Sequence, residues 1–157
     1  MTTKTLLAAL ICCSALACTP KRIPGTEIDD TDDTRAILNV MEKYRSAVEA
    51  RDAQGIISLV ADTFKEDMGT PSPEDDLDYN GLRQKLPSSL NKLDDVKLDV
   101  TVRKVEVNRP ANIARAIFTY TTSFKMPGLT AKSQSDSEIK EMWFKHVGND
   151  WKISSGI

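Results

Sequence analysis

"VKLDVTVRKVEV", residues 96–107, decides the fold. Val96, Leu98, Val100 and Val102 alternate with Lys97, Asp99, Thr101 and Arg103, the period of a strand with one buried face. The alternation then slips. Val105 and Val107 are apolar and Lys104 is not, so Val102 and Val105 stand three apart, which a regular strand would place on opposite faces. One extra residue near Arg103–Lys104 would return Val105 to the core side. The pattern therefore predicts a β-bulge, and a bulge bends a sheet.

Three more strands follow from the same reading. Residues 111–126 carry Ala114, Ala116, Phe118, Tyr120 and Phe124 on one face. Residues 133–147 form the next strand, "VGND" makes a tight turn, and "WKISSGI" closes the sheet. Upstream, Ile37, Val40, Met41, Tyr44, Ala47 and Val48 recur at the helical period. Thr31 to Asp33 supply cap oxygens and negative charge at the start of that helix. The stripe restarts at Asp52 with Ala53, Ile56, Ile57 and Val60, which predicts two helices broken near Arg51–Asp52. Residues 66–79 read as an acidic loop with two prolines, and "NGLRQKLPSSL" as a short third helix interrupted at Pro87. Helices first and antiparallel strands after them give an α+β class, a curved sheet wrapped over N-terminal helices and able to enclose a cavity.

The N-terminus reads as an export signal. Lys4 supplies positive charge, and Leu6 to Ala17 is an apolar stretch too short to cross a bilayer as a mature helix. Ala15-Leu16-Ala17 places small residues where a signal peptidase needs them, so residues 1–17 are expected to be removed. The cysteine that follows resembles the lipid-bearing cysteine of bacterial lipoproteins, although Ala15 and Leu16 depart from the usual residues of that motif. Cys12 and Cys13 leave with the signal, so an unlipidated Cys18 would be a lone thiol in an oxidising compartment. Lipid attachment at Cys18 is the favoured reading, with soluble secretion or a periplasmic location as the alternative. A disulfide or metal site there lacks a nearby cysteine or histidine partner. Thr19 does not supply the aspartate that marks inner-membrane retention in many bacteria, so the anchor is expected in the outer membrane. Residues 18–33 are polar, with two prolines and a glycine, and read as a flexible tether ahead of a domain spanning 34–157.

The 157 residues suit one domain, and a formal charge of −2 without a clustered basic surface argues against nucleic acid as a partner. The front segment "YRSAVEARDAQGIISLVADTFKED" and the back segment "EMWFKHVGNDWKISS" resemble the nuclear-transport-factor-2-like superfamily, the cone-shaped fold of ketosteroid isomerases and polyketide cyclases. One such fold hosts many functions. The resemblance implies three candidate catalytic residues. Tyr44 matches the isomerases' hydrogen-bonding tyrosine, and Asp67 resembles their general base if one residue is deleted. Glu141 falls near their protonated strand carboxylate. Such a site needs one mobile charged carboxylate, and it needs neutral donors facing the developing enolate. The residues also admit plainer roles: Tyr44 sealing the core, Asp67 solvated in its loop, Glu141 in a cross-strand ion pair.

"DLDYNG", residues 76–81, matches the first half of a calcium loop, but Pro87 stands where the bidentate glutamate belongs, so a helix-capping turn is expected and no metal. His146 beside the turn is expected to be exposed. Tyr44, Phe118, Tyr120 and Trp143 are candidates to line an apolar pocket. The leading expectation is a lipid-anchored cell-envelope domain that binds a small apolar ligand or an envelope protein, without a cofactor. An isomerase- or cyclase-type enzyme and a purely structural interaction domain are the alternatives. Contact with the membrane would run through the lipid on Cys18, and a homodimer is left open.

Overall fold

A computed structural model describes residues 21–67, 76–125 and 134–157. Its elements are α1 (Asp32–Glu49), α2 (Ala53–Leu59), β1 (Lys65–Glu66), β2 (Leu77–Asp78), α3 (Tyr79–Leu90), β3 (Asp94–Asn108), β4 (Ile113–Lys125), β5 (Gln134–Val147) and β6 (Asp150–Ser155). β3, β4, β5 and β6 form one antiparallel sheet in that spatial order, and β1 pairs with β2. The architecture is α+β, three helices against a four-stranded antiparallel sheet. The signal segment and Cys18 lie outside the described residues.

The predicted bulge is present. Val102 pairs with Phe118 and Lys104 with Ile117, which leaves Arg103 as the extra residue. Its guanidinium donates to Thr119 Oγ1 at 2.6 Å. Beyond it Val105 faces Ala116 and Val107 faces Ala114, both alanines buried, so the apolar phase returns to the core side. Two further irregularities bend the sheet, one between Asp94 and Lys97 and one between Trp143 and Phe144.

α1 starts at a reciprocal cap. Thr31 accepts from the Thr34 backbone N–H, and Thr34 Oγ1 accepts from the Thr31 N–H. Ile37 and Met41 bury its apolar stripe. The break falls at Arg51, whose positive φ of 55° reverses the chain, and Asp52 then caps α2 by accepting from Gly55 N–H at 2.9 Å. The largest fully buried side chains, Phe64, Phe144, Ile37, Ile56, Met142 and Ile153, come from the helical layer and the inner face of the sheet together. β3 is an edge strand, and Glu49 at the end of α1 accepts from its Leu98 N–H at 3.0 Å, which covers part of that edge.

Three expectations change, and the helix-capping turn expected at residues 76–81 is present. Pro87 does not interrupt α3, which runs through it to Leu90; Leu82 and Leu90, both buried, hold the helix on the core at either side of the proline. Asp78 of the calcium-like stretch is the N-cap of α3, accepting from Gly81 N–H at 2.7 Å. The stretch read as a tether carries structure from Lys21 onward. Arg22 bridges Asp29, Ile28 is buried, and Thr34 Oγ1 donates to the Asp29 carbonyl at 2.5 Å. The closing strand ends at Ser155 rather than Ile157, because Gly156 turns out of it with φ of 90°.

Candidate functional site

Between α1 and the inner face of the sheet lies a cavity of about 140 Å³. Its walls are apolar, formed by Val48, Leu98, Val100, Phe118 and Ile157. Tyr44, Tyr120, Thr122 and Lys140 bring the polar groups. An engineered apolar cavity of about 150 Å³ holds one benzene molecule, so this space suits a single ring or a short chain.

Strand alternation determines which side chains reach it. On β5, Met142 and Phe144 are buried, so Lys140 shares their inner face while Glu141 and Trp143 point outward. The Glu141 side chain is 45% exposed and pairs with Arg115 at 3.1 Å, the cross-strand ion pair that its charged surroundings suggested. Trp143, expected in the pocket, lies outside it, 37% exposed with the Arg115 guanidinium 5.5 Å from its ring. Phe118 and Tyr120 do line the cavity, their rings tilted with centroids 6.4 Å apart.

Tyr44 faces the cavity from α1. Burial pushes its hydroxyl up to about 12, and the nearby Tyr120 and Glu66 add to the shift. It is therefore a neutral hydrogen-bond donor at pH 7. Asp67 is exposed at the end of β1 and is not among the cavity's walls. The structure thus brings Tyr44, Phe118 and Tyr120 together and leaves Asp67, Glu141 and Trp143 elsewhere.

Sequence reasoning missed two residues. Glu66, one position before Asp67, accepts from the Gly156 N–H and acts electrostatically on Tyr44. The one-residue deletion needed to fit Asp67 was the signal for it, since a step of one in a strand exchanges faces. Gly156 is the other. A Cβ built there would stand 2.1 Å from the Glu141 carbonyl oxygen, so only glycine lets the chain pass β5 and present Ile157 to the cavity.

A second polar cluster sits at the other end of α1. Trp151 Nε1 donates to Asp33 Oδ1 at 3.0 Å, and the Arg109 guanidinium grips the same carboxylate with two hydrogen bonds. Arg109 also lies 5.5 Å over the Trp151 ring. His146 is half-buried rather than exposed, its ring 4.9 Å edge-on to Trp151 and its Nε2 3.2 Å from Arg109 Nη1. The Arg109 hydrogen bonds, aided by Trp151 and opposed by burial, hold the Asp33 carboxyl below the usual carboxylate range. Among the described residues no three His, Cys, Asp or Glu side chains gather to hold a metal ion.

No family model matches the sequence, and no curated protein does. Solved structures match in shape. A conserved protein from Planctomyces limnophilus shares 14% identity at a TM-score of 0.67, covering 79% of this chain and 92% of that one. A proposed dehydratase of the nuclear-transport-factor-2-like family from Streptomyces avermitilis shares 15% at 0.61, covering 79% and 93%. A type 2 hexachlorocyclohexane dehydrochlorinase shares 14% at 0.64, covering 79% and 82%. Identities this low establish the fold, the nuclear-transport-factor-2-like cone, and carry no activity across.

Proposed function

We propose that this chain is a lipid-anchored cell-envelope domain that binds a small, mostly apolar ligand in its cone cavity and does no chemistry on it. The observation that supports the binding reading is the separation of the acid–base candidates. A general base works within about 2.6–3.2 Å of the proton it takes. Tyr44 faces the cavity, Asp67 is exposed past β1, and Glu141 lies on the outer face of the sheet. The three do not share one substrate position.

Calorimetric titration of the chain with single-ring probes tests this reading. Saturable one-to-one binding, weakened when Val100→Trp fills the cavity, is the expected result. No binding by a correctly folded protein would return the chain to the purely structural alternative. The anchoring half rests on Leu6 to Cys18. Two or more acyl chains at about 0.8 kcal/mol per buried methylene suffice for stable attachment. Cys18→Ser should therefore move the protein to the soluble fraction; an unmodified Cys18 in soluble wild-type protein overturns the anchor.

One observation favours a second reading, an enzyme of the isomerase, cyclase or dehydratase kind. The Glu66 charge adds to the burial and Tyr120 effects that raise the Tyr44 pKa, so a carboxylate acts electrostatically on a neutral phenol that lines the cavity. Against this, Glu66 already accepts from Gly156. In the enzyme reading, turnover would vanish in Glu66→Gln and persist in Asp67→Asn and Glu141→Gln.

A further inference from the structure

Lys140 gives the cavity a chemical preference that its apolar walls do not. It is the one cationic side chain among the described residues that line the cavity. Several arginines elsewhere in the fold are matched to carboxylates: Arg115 to Glu106 and Glu141, Arg45 to Glu42 and Glu49, Arg109 to Asp33. Lys140 has no carboxylate within 4.0 Å among the described residues, and its Nζ lies 5.0 Å from the centre of the Tyr120 ring. The nearest acid on the same face of β5 is Glu138, which pairs in register with Tyr120 and accepts from its hydroxyl at 3.4 Å. At the far side, Glu66 is engaged by the Gly156 N–H.

A ligand that enters this cavity strips water from Lys140. A neutral apolar ligand would leave that ammonium without a partner, which costs free energy; an anion replaces the lost hydration with a charge-assisted hydrogen bond. We propose that the cavity selects small monocarboxylates, with an apolar body of about one ring seated between Phe118 and Val100 and the carboxylate at Lys140. The Tyr44 residue lines the same space and its hydroxyl is a neutral donor to such a head group, while the Thr122 hydroxyl already donates to the Lys97 carbonyl at 3.3 Å. This proposal rests on the binding reading given above and names the ligand class for that site. The competing role for Lys140 is packing alone, its methylene stem covering the cavity wall with its charge in water.

The experiment is a paired titration of the full chain at low salt, by calorimetry, with benzoate and benzamide and with hexanoate and hexanamide. Each pair keeps the shape and changes the charge. The carboxylate should bind about tenfold more tightly than its amide, in line with a hydrogen bond to a charged group. That preference should shrink as salt rises. Lys140→Met keeps the stem and removes the charge, and should bring acid and amide to equal affinity. Glu138→Gln removes the nearest opposing carboxylate and should strengthen carboxylate binding a few-fold. Amides that bind as well as their acids, or a preference that survives Lys140→Met, would overturn the monocarboxylate proposal while leaving the cavity reading intact. If neither member of either pair binds a folded protein, the binding reading itself falls, and this proposal with it.

Discussion

At one end of α1, Asp33, Arg109 and Trp151 satisfy one another; at the other, Tyr44 and Lys140 face a cavity of about 140 Å³. Eleven residues of helix separate Asp33 from Tyr44, about 16 Å at about 1.5 Å per residue. The first end ties three segments far apart in sequence: the start of α1, the β3–β4 turn and β6. The second end is bounded by Gly156 and Ile157, and the Gly156 N–H donates to the Glu66 side-chain carboxylate. The contrast separates tasks. Mutual pairing holds the cone shut, and groups left without partners are available to a ligand.

The largest expected effect tests the shut end. Phe144 is fully buried, faces Ala114 and Ile153 across its two neighbouring strands, and lies one layer from Trp151. Phe144→Ala should cost about 3–5 kcal/mol in chemical denaturation. A loss below about 1 kcal/mol would mean that the core there collapses freely and that the two ends do not differ. Next comes Gly156→Ala at the cavity end. The added methyl meets the Glu141 carbonyl, and φ of 90° is already costly for any residue with a Cβ. The tail must move, with a stability loss of about 1–3 kcal/mol and a weaker hold on Ile157. A wild-type melting temperature and unchanged probe binding would show that the tail is not part of the cavity wall.

The parts of this contrast that the sequence disclosed are those with periodicity. The slip between Val102 and Val105 announced the bulge, and the apolar stripe of α1 announced which face carries Tyr44. Periodicity also held the answer for β5, because Met142 and Phe144 are the inward pair and Glu141 and Trp143 must then point out. The family resemblance points to Glu141, but the same alternation turns Glu141 outward. The Asp33–Arg109–Trp151 cluster was illegible for another reason. Its members are separated by 76 and 118 positions, and no local pattern links a first-turn aspartate to a turn arginine. Pro87 misled because local propensity favours a break there, while the buried leucines flanking it favour continuity.

The Asp33 cluster makes the contrast depend on pH. The folded-state pKa of Asp33 lies below its unfolded value of about 3.9. The stability it adds is therefore fully present above that unfolded value and is lost as pH falls through the lower, folded pKa. Asp33→Asn should destabilise the protein by about 1.5–3 kcal/mol at pH 7, the range for a hydrogen bond to a charged group. The wild-type and variant denaturation curves should converge as the pH drops below about 4. Parallel curves down to acid pH would mean that Arg109 and Trp151 do not depend on the Asp33 charge.

The smallest effect discriminates most finely, because it compares two adjacent carboxylates. Glu66 points toward Gly156 and Tyr44, while Asp67 is exposed. Asp67→Asn should change stability by no more than about 0.5 kcal/mol, as for most exposed positions, and should leave probe binding in the cavity unaltered. Glu66→Gln keeps an acceptor for the Gly156 N–H and removes a negative charge near Tyr44. That charge is one of the influences raising the Tyr44 pKa, so its loss should lower the phenol's titration, followed by ultraviolet absorbance at alkaline pH. Burial is the larger cause and remains, so the hydroxyl should still titrate above an ordinary tyrosine at about 10. The same shift in Asp67→Asn, or no shift in Glu66→Gln, would reverse the assignment of faces along β1. It would also restore Asp67 as the carboxylate nearest the cavity.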